Sequence, residues 1–168
     1  YKRQSNYWAT PSKKSRIKEK NPVSEISQKI AYLLFADVSG FSDLQENQIK
    51  YFVKNVLSSV SRALAKYRSV RKKNTWGDGI FVAFDSIEDS GLFALDLADI
   101  FINQNWKMPE KLPKLAIRIA LHAGPAFYCV DPITGYKNVI GTHVSHAARL
   151  EPSTNENTVF ASKEFATM

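Results

Sequence analysis

The run Ile30–Ala36 is almost wholly apolar and rich in branched and aromatic side chains, as a strand buried on both faces would be. It stops at Asp37, with Gly40 close behind and Ser42 or Asp43 available to cap a helix. A second acid has a similar setting. Val70–Trp76, then Gly77-Asp78-Gly79, then Ile80–Phe84 spell a β-hairpin with Asp78 at its tip. If the two strand systems are neighbours in one sheet, both carboxylates leave it at the same edge. Two carboxylates beside a turn with free backbone N–H groups suit a divalent metal and a polyphosphate. Each Asp alone also fits a plain helix cap or turn.

The rest of the chain supplies the other elements. Ile49, Phe52, Val53, Val56, Val60 and Leu64 recur at three- and four-residue spacing and predict one long helix over 43–67. A second amphipathic helix is expected over 87–104, carrying Leu92, Leu95, Leu97, Ile100 and Phe101. Pro109 and Pro113 punctuate a loop before a strand at Leu115–His122, and Gly124-Pro125 reads as a turn into Ala126–Val130. A short helix over Thr142–Leu150 and a strand at Thr158–Ala161 follow. The order β-α-β-β-α-β, with extra strands and a helix after it, predicts an α+β fold. It is the ferredoxin-like plan: an antiparallel sheet, both main helices on one face, and the first strand beside the hairpin at its centre.

Charge and composition narrow the function. The chain's 168 residues fit one domain, and no apolar run approaches the ~20 residues of a membrane span. The single Cys129 precludes an internal disulfide and fits a reducing, cytoplasmic setting. Residues 1–29 hold eight Lys or Arg against two acids, so most of the net charge of +7 lies there. They are expected to form a basic arm or linker whose partner the sequence does not name. The nearly neutral remainder, 30–168, argues against a nucleic-acid footprint. His122 is expected on a strand, and His143 and His146 lie three apart on one helix. With Cys129 they offer no metal-ligand set and read as structural or peripheral.

LFADVSGFSDL, NTWGDGIFVAF and LAIRIALHAGPAFY followed by IGTHVSHAARLE together resemble the catalytic domain of class III nucleotidyl cyclases, the adenylate and guanylate cyclase family. Within it, GTHVSHAARLEP is most similar to the bacterial pyrimidine cyclases of the Pycsar antiphage system. The resemblance implies two divalent cations, Mn²⁺ or Mg²⁺, held by Asp37, Asp78 and the Val38 carbonyl. It implies a phosphate cradle from the backbone N–H groups of Ser39, Gly40, Phe41 and Ser42 at the start of the long helix, with Gly77 nearby. Arg149 matches the arginine that stabilises charge on the α-phosphate, Ser145 stands where the family has a transition-state Asn, and Phe35 lies at a base-pocket position. The two base-selecting positions hold Asn74 and Asn138, so neither the adenylate pair (Lys, Asp) nor the guanylate pair (Glu, Cys) is present. Trp76 replaces a smaller aliphatic residue and would crowd a purine's second ring. Uracil or cytosine is the expected base, UTP the expected substrate with CTP next and ATP third, and cUMP in antiphage signalling the expected product.

The family pattern further implies a head-to-tail homodimer. Metals would sit on one subunit, while the arginine and one base-selecting residue come from the other. The family's last hairpin, with its triphosphate-gripping lysine, is not found before Met168. Two other readings compete: a catalytically silent cyclase-like module that binds a nucleotide or partner, and a nucleic-acid-binding ferredoxin-like domain.

Overall fold

A computed structural model describes residues 26–103 and 114–168. The basic arm up to residue 25 and the loop with Pro109 and Pro113 lie outside the described residues. The elements run β1 (Ser27–Ser39), a 3₁₀ turn (Phe41–Asp43), α1 (Glu46–Tyr51), a π-helical segment (Phe52–Leu57), α2 (Ser58–Leu64), β2 (Val70–Trp76) and β3 (Gly79–Phe84). They continue with α3 (Ile87–Ile102), β4 (Ala116–Val130), β5 (Lys137–Ile140), α4 (Thr142–Leu150), β6 (Thr158–Ala161) and α5 (Lys163–Ala166). The sheet order is β2-β3-β1-β4-β5, with β6 also pairing β4. Every pairing is antiparallel except β4 with β6. The ferredoxin-like plan is the fold observed, with β1 central between the hairpin and β4.

Alternation along β1 feeds two cores. Leu34, Ala36 and Val38 face the helices and pack with Val82 and Phe84 of β3 and Ile117, Ile119 and Leu121 of β4. Phe52, Val56, Val60 and Leu64 cover them from one helix, and Phe93, Leu97 and Phe101 of α3 from the other. Ala31 and Leu33 face the opposite way, with Phe81, Ala83, Ala126, Val139 and Ala147 of α4. The strand is therefore covered on both faces from Ala31 to Leu34, while Ile30 remains 43% exposed and Phe35, Asp37 and Ser39 are half-buried.

Several sequence expectations are corrected. The first strand runs on to Ser39, three residues past its expected end, because β4 pairs with it through Ser39↔Ala116. It also begins at Ser27, inside the stretch read as arm. The long helix starts at Glu46 rather than 43. Neither Ser42 nor Asp43 caps it; the Gln45 N–H instead donates to Gln48 Oε1 at 2.7 Å. Ile49 and Val53, expected in the buried stripe, are exposed. The stripe that stays buried steps by four, from Phe52 to Leu64. A strict four-residue step drifts about 40° per turn on a 3.6-residue helix, and the wider π segment takes up part of that drift. On α3, Leu92 and Leu95 also face outward.

Gly124-Pro125 is not a turn. β4 continues straight through it, with Ala31↔Gly124 and Ile30↔Pro125 in register. Pro125 falls between the stretch of β4 that pairs β6, ending at Leu121, and the stretch that pairs β5, starting at Phe127. A missing N–H costs little in that gap. Gly124 answers a packing need: a Cβ there would lie 2.2 Å from His143 Nδ1. β5 and α5 were not anticipated from the sequence.

Candidate active site

Asp37 occupies the end of β1, directly opposite Arg118 on β4. Asp78 sits at the tip of the β2–β3 hairpin, and the pair Ala36↔Ile80 lays that tip alongside Asp37. The two turns touch. A Cβ on Gly77 would meet the Phe41 ring at 3.6 Å, so the loop after β1 packs over the hairpin turn. Gly77 (φ 74°) and Gly40 (φ 86°) both hold left-handed backbone, which the two tight turns require.

Two residues that the sequence reading passed over complete this edge. Arg118 Nη2 donates to Asp37 Oδ2 at 2.6 Å, and Arg118 Nε lies 2.9 Å from Glu151 Oε1. That second contact is an ion pair without hydrogen-bond alignment, since neither atom has a hydrogen-bond partner. Burial works against the guanidinium charge, but the Asp37 hydrogen bond and the attraction of Glu151 outweigh it and hold Arg118 above its ordinary pKa. Burial pushes the Glu151 carboxyl up; Arg118 opposes this, while Asp37 and then Asp78 add to it. Glu151 thus senses both aspartates. The sequence held signals for the pair: a charge between Ile117 and Ile119 on an otherwise apolar strand, and an acid closing AARLE.

The donor set fits hard divalent cations. Among the described residues, no three His, Cys, Asp or Glu side chains converge as a metal cage. Carboxylate oxygens at two adjoining turns suit Mg²⁺ or Mn²⁺, which commonly take one or two carboxylates and draw other oxygens from substrate phosphates and water.

The remaining candidates divide into those brought to this edge and those held elsewhere. Ser39, Gly40, Phe41 and Ser42 lie at the edge, but on the end of β1 and a 3₁₀ turn rather than a long helix's first turn. The Asp43 and Leu44 N–H groups bond back to Gly40 and Phe41 carbonyls at 3.3 and 3.0 Å. The Val38 side chain is buried, next to Asp37. Ser145 and Arg149 are exposed one turn apart on α4, around buried Ala147. Residue 151 keeps helical dihedrals, so Arg149 and Glu151 point about 200° apart. With Glu151 turned to Arg118, Arg149 leaves the helix on the other side.

Phe35 stacks on Phe81, ring centroids 4.7 Å apart, on the α4 side of the sheet. Asn74 lines a cavity of about 340 Å³ with Leu57, Ser61 and Ile80. Asn138 lines another of about 460 Å³ with Arg71, Tyr128 and Lys137, so one protomer does not bring the two asparagines together. The Asn138 amide is engaged at both ends, donating to Asp131 Oδ2 at 3.3 Å and accepting from the Val139 N–H at 2.9 Å. Trp76 is 61% exposed and lines neither cavity.

The histidines cluster, with only His122 buried, His143 half-buried and His146 exposed. His122 is fully buried, its Nδ1 2.7 Å from Ser162 Oγ and its Nε2 2.8 Å from His143 Nδ1. Its ring stacks on His146 at 4.5 Å between centroids. Burial, then the neighbouring His146, pushes the His122 pKa down; Glu164 pulls the other way. Cys129 is a free thiol on β4.

The family model for the adenylate and guanylate cyclase catalytic domain matches residues 23–168. No curated protein matches the chain in sequence. Among solved structures, a monomeric double mutant of the guanylyl cyclase domain of the RhoGC fusion protein from the aquatic fungus Blastocladiella emersonii superposes with a TM-score of 0.74. It is 18% identical, over 86% of this chain and 85% of that chain. The guanylate cyclase domain of RhGC from Catenaria anguillulae, in complex with GTP, gives 0.70 at 18% identity over 84% and 82%. The adenylyl cyclase CyaB from P. aeruginosa gives 0.68 at 20% identity over 85% and 81%. At such identities these likenesses speak for the fold.

Proposed function

The chain belongs to the adenylate and guanylate cyclase catalytic-domain family, and from that premise we propose that it is a nucleoside triphosphate cyclase acting on a pyrimidine nucleotide, UTP first. The carrying observation is the meeting of two turns at one sheet edge, one following Asp37 and the other bearing Asp78, with the Phe41 ring packed over Gly77.

In this reading Asp37, Asp78 and the Val38 carbonyl hold two divalent cations, Mn²⁺ or Mg²⁺. When bound, the cations ease ionisation of the ribose 3′-hydroxyl and balance the charge of departing pyrophosphate. The N–H groups of Ser39, Gly40, Phe41 and Ser42, with Gly77 beside them, receive the β- and γ-phosphates. Arg149 meets the α-phosphate as charge builds on it, and Ser145 supplies a hydroxyl to the same region. The 3′-oxygen forms a bond to the α-phosphorus as the α–β bridging bond breaks. The electron pair leaves with pyrophosphate and the hydroxyl proton passes to solvent.

The exposed position of Arg149, on the side of α4 away from Glu151, supports head-to-tail pairing of two copies. Each protomer would lend Arg149, Ser145 and a base-selecting asparagine to its partner's metals. Asn74, Asn138 and Trp76, with Phe35 behind, select the base. For Asn138 this means exchanging its contacts to Asp131 and Val139 for the nucleobase. The likeness of GTHVSHAARLEP to the pyrimidine cyclases supports UTP over CTP, cUMP as product, and an antiphage signalling role. The test is pyrophosphate release from UTP. It should require Mn²⁺ or Mg²⁺ and vanish in Asp78→Ala; release that is indifferent to the cation would overturn the reading.

A further inference from the structure

We propose that Arg118 is the positioning residue of the Asp37 carboxylate, and that Glu151 anchors Arg118 in that role. The inference rests on reading Asp37 and Asp78 as cation-binding carboxylates, and it assigns work to two residues outside that reading.

Three features carry it. Asp37 and Arg118 are direct partners in the β1–β4 register, so the sheet itself holds the guanidinium beside the carboxylate. Arg118 takes Oδ2 of Asp37 at 2.6 Å, while no hydrogen bond to Oδ1 is found among the described residues. One oxygen is thereby fixed and the other left available to a cation, which favours single-oxygen over two-oxygen coordination. Glu151, whose side chain is only 12% exposed, closes on Arg118 Nε at 2.9 Å from the helical turn that follows α4. The Arg118 side chain is 31% exposed, on the face opposite Ile117 and Ile119, and the two acids offset the burial that works against its charge. Carboxylates that bind metals are commonly oriented by such outer partners, whose loss weakens metal binding tenfold or more.

A purely structural ion pair predicts the opposite sign. Arg118 is a positive charge beside a cation site, so on Coulombic grounds alone its removal should tighten cation binding. Orientation and charge therefore pull in different directions, which makes the proposal testable without turnover.

The experiment titrates the full chain with Mn²⁺ alone, following bound metal by water-proton relaxation and free metal by electron paramagnetic resonance. Arg118→Lys keeps the charge but not the fork; Arg118→Met removes both; Glu151→Gln removes the anchor. We expect each arginine variant to weaken Mn²⁺ roughly tenfold. Glu151→Gln should weaken it less, and Arg118→Met/Glu151→Gln should be no worse than Arg118→Met alone, as coupled residues behave. Should Arg118→Met fail to fold, Arg118→Lys and Glu151→Gln decide the matter. Binding as tight as wild type, or tighter, in both of these overturns the proposal. If wild type and Asp78→Asn give the same Mn²⁺ response, the cation-site reading itself fails, and the two failures are told apart.

Discussion

On one face of the sheet, Phe52, Phe84, Phe93 and Phe101 are all fully buried under α1 to α3, in a continuous apolar layer. On the other, four of the seven buried residues are alanines, Ala31, Ala83, Ala126 and Ala147, and a single nine-residue helix covers them. Small residues let α4 sit close, and Gly124 lets His143 closer still. They also leave Phe35 and Tyr128 only partly covered, and Ser145 and Arg149 project outward from α4. The first face is finished by the chain itself. The second leaves polar and aromatic groups exposed, and it is the face that the proposed function gives to substrate and second protomer, while the carboxylates stand at the edge where the faces meet. On the proposed function, stability and chemistry are divided between the two faces, and substitutions should separate them.

The largest expected effect is chemical. Asp37→Ala or Asp78→Ala should abolish turnover, because several kcal/mol are expected from the bound cations. The melting temperature without ligands should stay near wild type for Asp78→Ala, whose turn-tip carboxylate buries little, and fall for Asp37→Ala, which takes a partner from Arg118. Mn²⁺ plus nucleotide should raise it for wild type only. Either variant keeping more than about a tenth of wild-type turnover breaks the division.

On the helix-covered face the effect should be purely one of stability. Phe93→Ala is expected to cost about 3–5 kcal/mol, read from urea denaturation, as for large aromatic deletions in cores. Val139→Ala, against the alanine-lined face, should cost clearly less. Equal losses at both positions would mean that the second face is as tightly built as the first.

What could be read from the sequence follows the same boundary. The β2–β3 hairpin, α4 and β6 carry local signals and fall where those signals put them. β4 was misread at Gly124-Pro125 because the two residues that most often turn a chain serve here for packing and at a ladder gap. β5 was missed since Lys137–Ile140 has only two branched residues and earns its place by pairing with Tyr128 and Cys129. Asp37 and Asp78 announce themselves by their turns. Arg118 and Glu151 do not, since only strand register joins Arg118 to Asp37 across 81 positions.

A shared site sharpens the comparison further. Arg149→Ala and Asp78→Ala, each inactive alone, should regain about a quarter of wild-type activity when mixed equally, as one hybrid site per mixed dimer predicts. No recovery, once mixed dimers are shown by native mass spectrometry, would remove the partner from the second face.

The smallest effect concerns the buried His122. His122 has a lowered pKa in the fold, so between that value and its ordinary 6.5 the unfolded chain binds more protons. Stability should therefore be full above about pH 6.5 and decline as pH falls through that window. The lowered acids Asp131 and Glu164 lose their contribution only near and below their ordinary values of 3.8 and 4.5. His122→Gln should flatten the slope of melting temperature between pH 5 and 6.5. An unchanged slope would place the titration elsewhere.

The most direct measurement incubates the purified protein with Mn²⁺ and each of UTP, CTP, ATP and GTP in turn, identifying products by mass. The account predicts 3′,5′-cyclic nucleotide and pyrophosphate, with pyrimidines exceeding purines by roughly ten- to a hundredfold, about the selectivity one mispaired pocket group confers. Tenfold preference for ATP or GTP would contradict the assignment of Asn74, Asn138 and Trp76. No cyclic product from any of the four would contradict the cyclase itself.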